Sequence, residues 1–432
     1  MKRYQSWGRI DAEPSRVYAL SDRQMALPTA SFSMLPFGNG RSYGDVGLNR
    51  GGALLDTAGL DRFIDFDPAS GILRCEAGVQ LDHILSLAVP QGWFLPVTPG
   101  TRFVTVGGAI ANDVHGKNHH VAGSFGCHVR QFELLRSDGS RRLCSPQHDA
   151  DWFGATIGGL GLTGLITWAE LQLRRIANPF LWTEAIRFRN LQQFIELDAE
   201  VAPRHEYTVA WLDCLAGGAG RGRGIYFVGD HAPSLTQLPL YQARRRRLPL
   251  TPPWSLVNGL SLRAFNQLYY HRPLATGQTL THYEPYFYPL DSLLEWNRMY
   301  GPRGFYQYQC VVAPEAGAQA LDRLLQAIAR SGQGSFLAVL KRFGDQASPG
   351  WLSFPRPGYT LALDFPNRGD ATLQLFRELD AVVLDHGGAI YPAKDATMPA
   401  EHFRHYYPAW QRFSAFVDPA FSSSLWRRVM AA

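Results

Sequence analysis

Short hydrophobic runs separated by clusters of glycine characterise the first 178 residues of the chain. Four segments alternate between apolar and polar positions, which predicts β-strands: residues 53–56, 71–77, 129–135 and 165–173. Residues 81–88 place their apolar side chains at helical spacing and are followed by Pro90, which predicts a short amphipathic helix. We therefore expect a mixed α+β region in which glycine-rich loops connect the elements.

The pattern changes after residue 178, where longer segments follow one another. Three segments have the apolar spacing of amphipathic helices: residues 191–201, 317–331 and 371–385. Five segments have the alternation or the β-branched and aromatic composition of strands: residues 207–212, 224–228, 306–312, 336–342 and 359–365. This order predicts a second α+β domain in which helices cover an antiparallel sheet.

The composition is that of a packed globular protein, with 46% hydrophobic and 18% charged residues. The five cysteines are widely spaced and form no CxxC pair, which favours reduced thiols in a cytoplasmic protein over a disulfide framework or a zinc ribbon. Residues 1–10 lack the apolar core of a secretory signal. Residues 152–169 carry no charge, but their five glycines favour a loop over a transmembrane helix. The net charge of +5 is small, and we expect no nucleic-acid binding.

A glycine-rich loop at residues 36–45 is the first candidate for binding chemistry. Glycine permits positive φ angles and lets backbone amides converge on an anion. Arg41 and Ser42 add donors that suit a pyrophosphate. Taken alone, however, this loop is better explained as a surface turn.

Two further glycine clusters occur at residues 98–118 and 158–164. In the first, Thr105 can cap a short helix that begins near Gly107 and Gly108, whose free amides suit a phosphate; close helix packing is the alternative. The second contains GxGxxG, but a predicted helix precedes it and a strand follows, which is the reverse of the dinucleotide-binding arrangement. We therefore reject a Rossmann site for NAD. The three loops together favour a large cofactor that carries phosphate, without identifying it.

Four histidines lie within residues 115–128, and His115 and His119 have the spacing of metal ligands on one helix face. Gly116 and Asn118 interrupt the helix, however, and no glutamate lies between the two histidines, as the HExxH pattern requires. We expect no metal site.

Several of these motifs together resemble the decaprenylphosphoryl-β-D-ribose 2′-oxidase family, a group of vanillyl-alcohol-oxidase-like flavoproteins. The resemblance covers nearly the whole chain and includes residues 40–45, 98–101, 106–111, 115–120, 123–126, 158–164, 296–298, 306–309, 336–337, 341–344, 364–366 and 391–395. It implies an α+β fold of two domains, with an FAD-binding domain at residues 1–178 and a substrate domain with an antiparallel sheet at residues 179–395. A C-terminal segment, residues 396–432, is expected to pack back on the FAD domain. FAD is expected to bind noncovalently, because Tyr43 stands where many relatives carry the histidine that bonds to the flavin.

The resemblance also implies a set of site residues. Lys394 is expected to place positive charge near the flavin and the substrate, with His115 and Tyr43 as further catalytic candidates. The expected substrate pocket contains Tyr288, Gln307, Gln309, Lys341 and Lys394. The residues expected to contact FAD are Gly38, Asn39, Gly40, Arg41, Ser42, Tyr43, Gly44, Thr98, Pro99, Gly100, Thr101, Val104, Gly107, Gly108, Ala111, Asn112, His115, Gly116, Lys117, Asn118, Ser124, Gly161, Gly164, Ile166 and Tyr391. The alternatives are a solvent-facing strand for the two glutamines and a surface position for the lysine.

The implied activity is FAD-dependent oxidation of the 2′-hydroxyl of a polyprenylphosphoryl ribose, as the oxidase half of an epimerisation that a separate short-chain reductase completes. The alternative in the same superfamily is an oxidase or dehydrogenase of a soluble polyol, aldonolactone or other sugar. A binding module that kept the fold without catalysis is a third reading. The arginine run at residues 244–247 precedes an apolar segment, and we expect it either to touch an anionic membrane or to form a solvated loop.

Overall fold

The N-terminal part of the chain forms two sheets from short strands. The computed structural model describes residues 4–10, 14, 16–29 and 31–431. A parallel sheet has three strands in the spatial order Arg16–Ala19, Ala53–Asp56 and Met34–Phe37. An antiparallel sheet has five strands in the order Phe63–Asp67, Ile72–Glu76, Leu165–Gln172, Val129–Leu135 and Arg141–Cys144. The predicted alternation is visible in burial, since Leu73 and Cys75 are fully buried while Arg74 between them is partly exposed.

This part of the chain also contains four short helices: Leu81–Ala88, Val106–Ala111, His119–Ala122 and Ala150–Thr156. The first buries its residues at positions 81, 84, 85 and 88, which is the helical spacing predicted from the sequence. The uncharged residues 152–169 comprise the end of the fourth helix, a glycine turn and the start of the strand Leu165–Gln172. Among the described residues, no helix is both long enough and apolar enough to cross a membrane.

One antiparallel sheet of eight strands organises the second part of the chain. Its spatial order is Thr279–His282, Phe180–Phe188, Gly224–His231, Tyr207–Leu212, Val339–Phe343, Gly358–Pro366, Phe305–Val312 and Ala389–Ile390. Two short strand pairs lie outside the three main sheets: Trp93–Phe94 with Arg174–Arg175, and Arg246–Arg247 with Leu293–Leu294.

Helices cover one face of the eight-stranded sheet, as the sequence predicted. Three of them share its hydrophobic core: Leu191–Val201, Gly317–Ser331 and Asp370–Asp385. The Tyr308 hydroxyl donates a 2.9 Å hydrogen bond to Asp380 on the last of these helices. Because neighbouring strand residues point to opposite faces, Gln307 and Gln309 lie on the face away from these helices. The remaining helices are Gly259–His271, Tyr283–Phe287, Ala400–Tyr406, Trp410–Ser414 and Ser424–Met430.

The strand predicted at residues 336–342 is shifted, and the structure places it at Val339–Phe343. The Ser335 hydroxyl accepts a hydrogen bond from the Leu337 amide at 3.0 Å and donates to the Leu337 carbonyl. The Phe336 carbonyl accepts from the Trp211 indole. These side-chain bonds occupy backbone groups that a sheet ladder would use, so the strand begins later.

The C-terminal segment contacts the N-terminal sheets. Phe421 forms a β-bridge with Met34 at the edge of the three-stranded sheet. The Arg428 guanidinium lies 2.7 Å from the Asp45 carboxylate and 2.9 Å from that of Asp395. These contacts join residues of the C-terminal segment to the N-terminal part of the chain, and the division into domains stays a prediction.

Candidate active site

A cavity of about 560 Å³ is lined by residues from both parts of the chain. Its wall includes residues 38–44, 99–101, 160–161 and 164–166 from the N-terminal part. The strands Phe305–Val312 and Val339–Phe343 contribute further side chains, as does the turn that contains Lys394. The site therefore depends on the contact between the two parts.

Most of the residues expected to contact FAD or substrate line this cavity. They are Gly38, Asn39, Gly40, Arg41, Ser42, Tyr43, Gly44, Pro99, Gly100, Thr101, Val104, Gly107, Gly108, Ala111, Asn112, His115, Gly161, Gly164, Ile166, Gln307, Gln309, Lys341, Tyr391 and Lys394. The two glutamines thus face a cavity rather than solvent, and Lys394 is not a surface lysine.

Six expected contact residues lie behind the wall instead: Thr98, Gly116, Lys117, Asn118, Ser124 and Tyr288. The hydroxyls of Thr98 and Tyr288 are 2.6 Å apart and buried. Lys117 donates to the Tyr286 carbonyl, and its ammonium lies 4.2 Å from the centroid of the Tyr286 ring. The polar atoms of these three side chains therefore bind other protein groups rather than facing the cavity.

The other three of these six residues shape the loop that carries His115. The Asn118 carboxamide donates to the Pro96 carbonyl at 2.8 Å. A Cβ atom on Gly116 would lie 2.9 Å from the Thr98 carbonyl oxygen, so glycine permits a close backbone approach there. Ser124 pairs with His115 in an isolated β-bridge. Their positions indicate support for the cavity wall.

The first glycine loop is held against the turn that carries Lys394. The Tyr43 amide donates to the Ala393 carbonyl at 3.1 Å. A Cβ atom on Gly44 would lie 1.5 Å from the Asp395 carbonyl oxygen, so only glycine permits this approach. The contact brings the Lys394 ammonium to 3.8 Å from the centroid of the Tyr43 ring.

The same loop presents unused hydrogen-bond donors. Among the described residues, the backbone amides of residues 38–42 donate to no other backbone group. Gly40 has a φ of +62°, a conformation that helps to turn successive amides toward one side. The Arg41 guanidinium lies 4.2 Å from the centroid of the Trp7 ring, and its Nε is buried without a partner. This loop can therefore receive an anion.

The second glycine cluster differs from the expectation. Thr105 caps the helix Val106–Ala111, as predicted, with its hydroxyl accepting from the Gly108 amide at 3.2 Å. The Gly107 amide, however, donates to the Ala77 carbonyl at 2.8 Å. The expectation that this helix offers free amides to a phosphate was therefore wrong. The glycines are needed for close packing, because a Cβ on Gly107 would lie 3.0 Å from that of Ala77.

The third glycine cluster has the predicted order of elements. It follows the helix Ala150–Thr156 and precedes the strand Leu165–Gln172, which is the reverse of a dinucleotide-binding unit. The amides of Gly158 and Leu160 donate to the carbonyls of Ile110 and Ala111 at 2.9 and 2.8 Å. These bonds hold the turn against the C-terminal end of the helix Val106–Ala111, and Gly161 of the turn lines the cavity.

A carboxamide pair forms the polar part of the wall. Gln307 Nε2 donates to the Asp364 carboxylate at 2.6 Å. Gln309 Nε2 lies 2.9 Å from His115 Nε2 and donates to the Thr360 hydroxyl at 3.2 Å. Cross-strand pairing explains this arrangement, because Gln307 lies opposite Asp364 in the antiparallel ladder. With both amide hydrogens of Gln309 engaged, its carbonyl oxygen is the group that can accept from a ligand hydroxyl.

Ionisable groups in and beside the cavity have shifted pKa values. Burial lowers the pKa of Lys394 to about 7, against the opposing attraction of Asp364. Burial lowers the pKa of Lys341 to about 8 and raises the pKa of Asp364 to about 7. Three groups therefore change charge near neutral pH, which is typical of functional sites.

His115 and Tyr43 are neutral in this environment. Burial, reinforced by the charge of Lys341, holds the pKa of His115 well below its ordinary value. The His115 ring packs at centroid distances of 4.8 Å from Phe343 and 5.3 Å from Tyr391. Burial, followed by the carboxylate of Asp364, raises the pKa of Tyr43 well above its ordinary value.

The histidine cluster is divided among separate partners. His120 Nε2 lies 3.0 Å from the His205 carbonyl oxygen, and His128 Nε2 lies 2.8 Å from that of Ala122. His119 Nδ1 accepts from the Gly344 amide at 3.2 Å. Within the described residues, no group of three or more His, Cys, Asp or Glu side chains is arranged to hold a metal ion.

Sequence reasoning missed several residues of the site. Trp7, Phe103 and Asp291 line the cavity, and Asp364 positions Gln307. Asp364 had a readable signal, since it is the only charged residue in the strand Gly358–Pro366. Trp7 had none, because it comes from the N-terminal segment and reaches the cavity only through tertiary packing.

Comparison with known proteins identifies the family. A protein of Mycolicibacterium smegmatis named decaprenylphosphoryl-beta-D-ribose oxidase is 36% identical over 99% of this chain and 97% of its own. The chain belongs to the decaprenylphosphoryl-β-D-ribose oxidase family. Residues 13–145 match the family described as an FAD binding domain. A protein of Streptomyces coelicolor is 37% identical over 81% of this chain and all of its own, and human Delta(24)-sterol reductase is 31% identical over 26% of this chain.

Membership of the decaprenylphosphoryl-β-D-ribose oxidase family makes this protein an FAD-dependent oxidoreductase, and the cavity fits that cofactor. The amides of residues 38–42 can receive the diphosphate. Three buried polar atoms of cavity residues have no protein partner, namely Arg41 Nε, Asn112 Oδ1 and His115 Nδ1. Buried polar atoms are usually paired, so these atoms are suited to a bound group.

Proposed function

We propose that this protein oxidises the 2′-hydroxyl of a polyprenylphosphoryl ribose. The observation that carries the proposal is one cavity that combines the glycine loop at residues 38–44 with a wall of Gln307, Gln309, Lys341 and Lys394. The loop suits the cofactor, and the wall suits a polar ligand that carries negative charge. The name of the mycobacterial relative supports the same substrate class.

Oxidation of a secondary alcohol removes a hydride from carbon and a proton from oxygen, and FAD supplies the hydride acceptor. The carboxamides are oriented for sugar hydroxyls because their donors are bound within the protein. Lys394 supplies positive charge at the reacting centre, where negative charge accumulates during the reaction. Because its pKa is lowered to about 7, the Lys394 side chain can gain or lose its proton near neutral pH.

Lys341 is assigned to the phosphoryl group of the substrate. Its side chain lines the cavity, and the hydrogen bond that its ammonium makes with the described residues is a long contact of 3.4 Å to the Gly116 carbonyl. An ammonium group held so weakly can turn toward an anion. Asp364 acts as a positioning residue, since it fixes Gln307 without lining the cavity itself.

Substrate-dependent bleaching of the bound flavin tests the proposal. Purified protein is mixed anaerobically with a detergent-dispersed polyprenylphosphoryl ribose, and flavin absorbance is followed with time. Rapid bleaching by this compound and slow or no bleaching by free ribose, polyols or aldonolactones is the expected result. Bleaching by a free sugar alone would instead assign a soluble substrate. A colourless protein that takes up no added FAD would favour a binding module.

A further inference from the structure

An exposed apolar segment lies near the cavity. Eleven large apolar side chains are exposed among the described residues, and six of them fall within residues 238–260. We call this segment the 238–260 surface, and its exposed apolar members are Leu238, Leu240, Leu250, Trp254, Leu256 and Leu260. Single exposed apolar residues are ordinary, but such a concentration marks an interaction site.

The charge around this surface has one sign. Residues 231–283 contain six arginines and no aspartate or glutamate. Arg244, Arg245 and Arg246 are exposed, and no ion pair involving them occurs among the described residues. Arg247 is different, because its guanidinium lies 3.6 Å from the Glu295 carboxylate. A partner of this surface is therefore expected to be negatively charged.

The 238–260 surface is attached to the rim of the cavity. Arg246–Arg247 pairs in parallel with Leu293–Leu294, and Arg247 lines the cavity together with both of these leucines. Arg298 donates to the carbonyls of Leu248 and Pro249 at 3.1 and 2.7 Å. These bonds fix the base of the segment beside the cavity while its apolar side chains stay exposed.

The helix that begins at the end of this surface also exposes apolar and basic side chains. Gly259–His271 buries Leu262, Asn266 and Tyr270 on one face. Leu260 and Leu268 are 83% and 76% exposed. They are eight residues apart in the helix, so they lie on its outer face, together with exposed Arg263. A helix with apolar and basic residues on its outer face is suited to an interfacial position at a bilayer.

We propose that the 238–260 surface docks the protein on an anionic lipid membrane, beside the mouth of the cavity. Arginines are attracted to anionic headgroups, and tryptophan and leucine side chains enter the interfacial region. The contact goes beyond the proposed function, because it needs no substrate and is measured without turnover. It places the cavity where a lipid-linked ligand is within reach.

Vesicle co-sedimentation of the FAD-loaded protein tests the docking. Vesicles of phosphatidylcholine are compared with vesicles that also contain phosphatidylglycerol, at low and at high salt. Binding to the anionic vesicles that weakens with salt is expected. The variant R244Q/R245Q/R246Q is expected to bind about a hundredfold more weakly, at roughly fivefold per arginine. Trp254→Ser is expected to weaken binding without changing its dependence on salt.

Matched controls remove the same kind of group elsewhere. R189Q/R368Q/R377Q lowers the net charge equally at exposed positions, and Leu143→Ser removes an apolar side chain that is 42% exposed. Both are expected to bind like the unaltered protein. Equal binding of the two triple variants, or equal binding to both kinds of vesicle, overturns the proposal.

Self-association is the competing explanation for an exposed apolar segment. Sedimentation velocity without vesicles measures it, and dimerisation that Trp254→Ser abolishes would overturn the membrane proposal and assign the surface to a second copy. Flavin bleaching by detergent-dispersed substrate is measured in the same variants. Since they alter no assigned site residue, a failure there concerns the proposed function alone.

Discussion

Replacement of Lys394 tests the proposed chemistry directly. Its ammonium lies 3.8 Å from the centroid of the Tyr43 ring, in the wall of the cavity. Lys394→Met removes the positive charge and keeps a flexible apolar chain. Loss of one preorganised group at a reacting centre costs about 10²–10³ in rate. We expect substrate-dependent flavin reduction to slow by that factor while FAD stays bound.

The Lys394→Met protein is expected to be at least as stable toward unfolding as the unaltered protein. Burial lowers the pKa of Lys394 from 10.5 to about 7, and each pKa unit corresponds to about 1.4 kcal/mol. Solvent screening reduces this cost, because the side chain is only partly buried. Asp364 also loses a favourable neighbour. We therefore expect the free energy of unfolding of the apoprotein to rise by about 1 kcal/mol, seen as a higher Tm.

The pH dependence of the rate gives a second measurement. Lys394 is charged below its pKa, about 7 in the protein without ligands, and loses the charge as the pH rises through that value. The negative charge of FAD and of a phosphorylated substrate raises this pKa further. Activity is therefore expected to fall on the alkaline side, with a midpoint at or above pH 7.

Anaerobic stopped-flow absorbance of the flavin, with saturating substrate, measures the reduction step across the pH range. Lys394→Arg is the matched variant, because arginine keeps its charge at every pH of the assay and should lose the alkaline limb. Rates like those of the unaltered protein in Lys394→Met, with the alkaline limb intact, would refute the assigned role.

Three further expectations follow from the site. Acid precipitation is expected to release all of the flavin into the supernatant, because Tyr43 stands in the loop position where many flavoproteins of the superfamily carry the histidine that bonds to the flavin; retained yellow colour in the pellet would contradict this. Gly44→Ala is expected to lower the free energy of unfolding by about 3 kcal/mol, as an overpacked contact with Asp395. Gly217→Ala, whose Cβ would meet no atom within 4 Å, is the control, and equal Tm values for the two would disprove the argument. Gln309→Leu removes the carbonyl oxygen that accepts from a substrate hydroxyl and leaves that hydroxyl unpaired at about 1–3 kcal/mol, so kcat/KM is expected to fall about 5- to 150-fold with unchanged FAD content.

Sequence patterns predicted elements best where the deciding contacts are close in the chain. The helix Gly317–Ser331 has the predicted ends, because its buried residues repeat at helical spacing over four turns. Strand ends were less accurate, since they depend on partners elsewhere. The strand predicted at residues 336–342 is Val339–Phe343, and its pairing with Tyr207–Leu212 has no signal in the local sequence.

The binding loops show the same division. The donors of residues 38–42 could be recognised as suited to an anion because they are local to the loop, although the loop taken alone was better explained as a surface turn. That the amides of the helix Val106–Ala111 are occupied could not be predicted, because their acceptors include the distant Ala77 carbonyl. Likewise, the partner of Tyr288 is Thr98, and this pairing removes both from the cavity wall.

The positions of the few lysines in the sequence indicate where the reacting centre lies. The chain has 42 lysines and arginines, of which only four are lysines. Lys341 and Lys394 line the cavity, Lys117 lies directly behind its wall, and Lys2 is outside the described residues. Arginine stays charged at all ordinary pH values, whereas a buried lysine can exchange its proton near neutrality. In a chain that otherwise uses arginine, the three described lysines therefore lie where a charge that can change near neutral pH is useful, and their lowered pKa values agree with that interpretation.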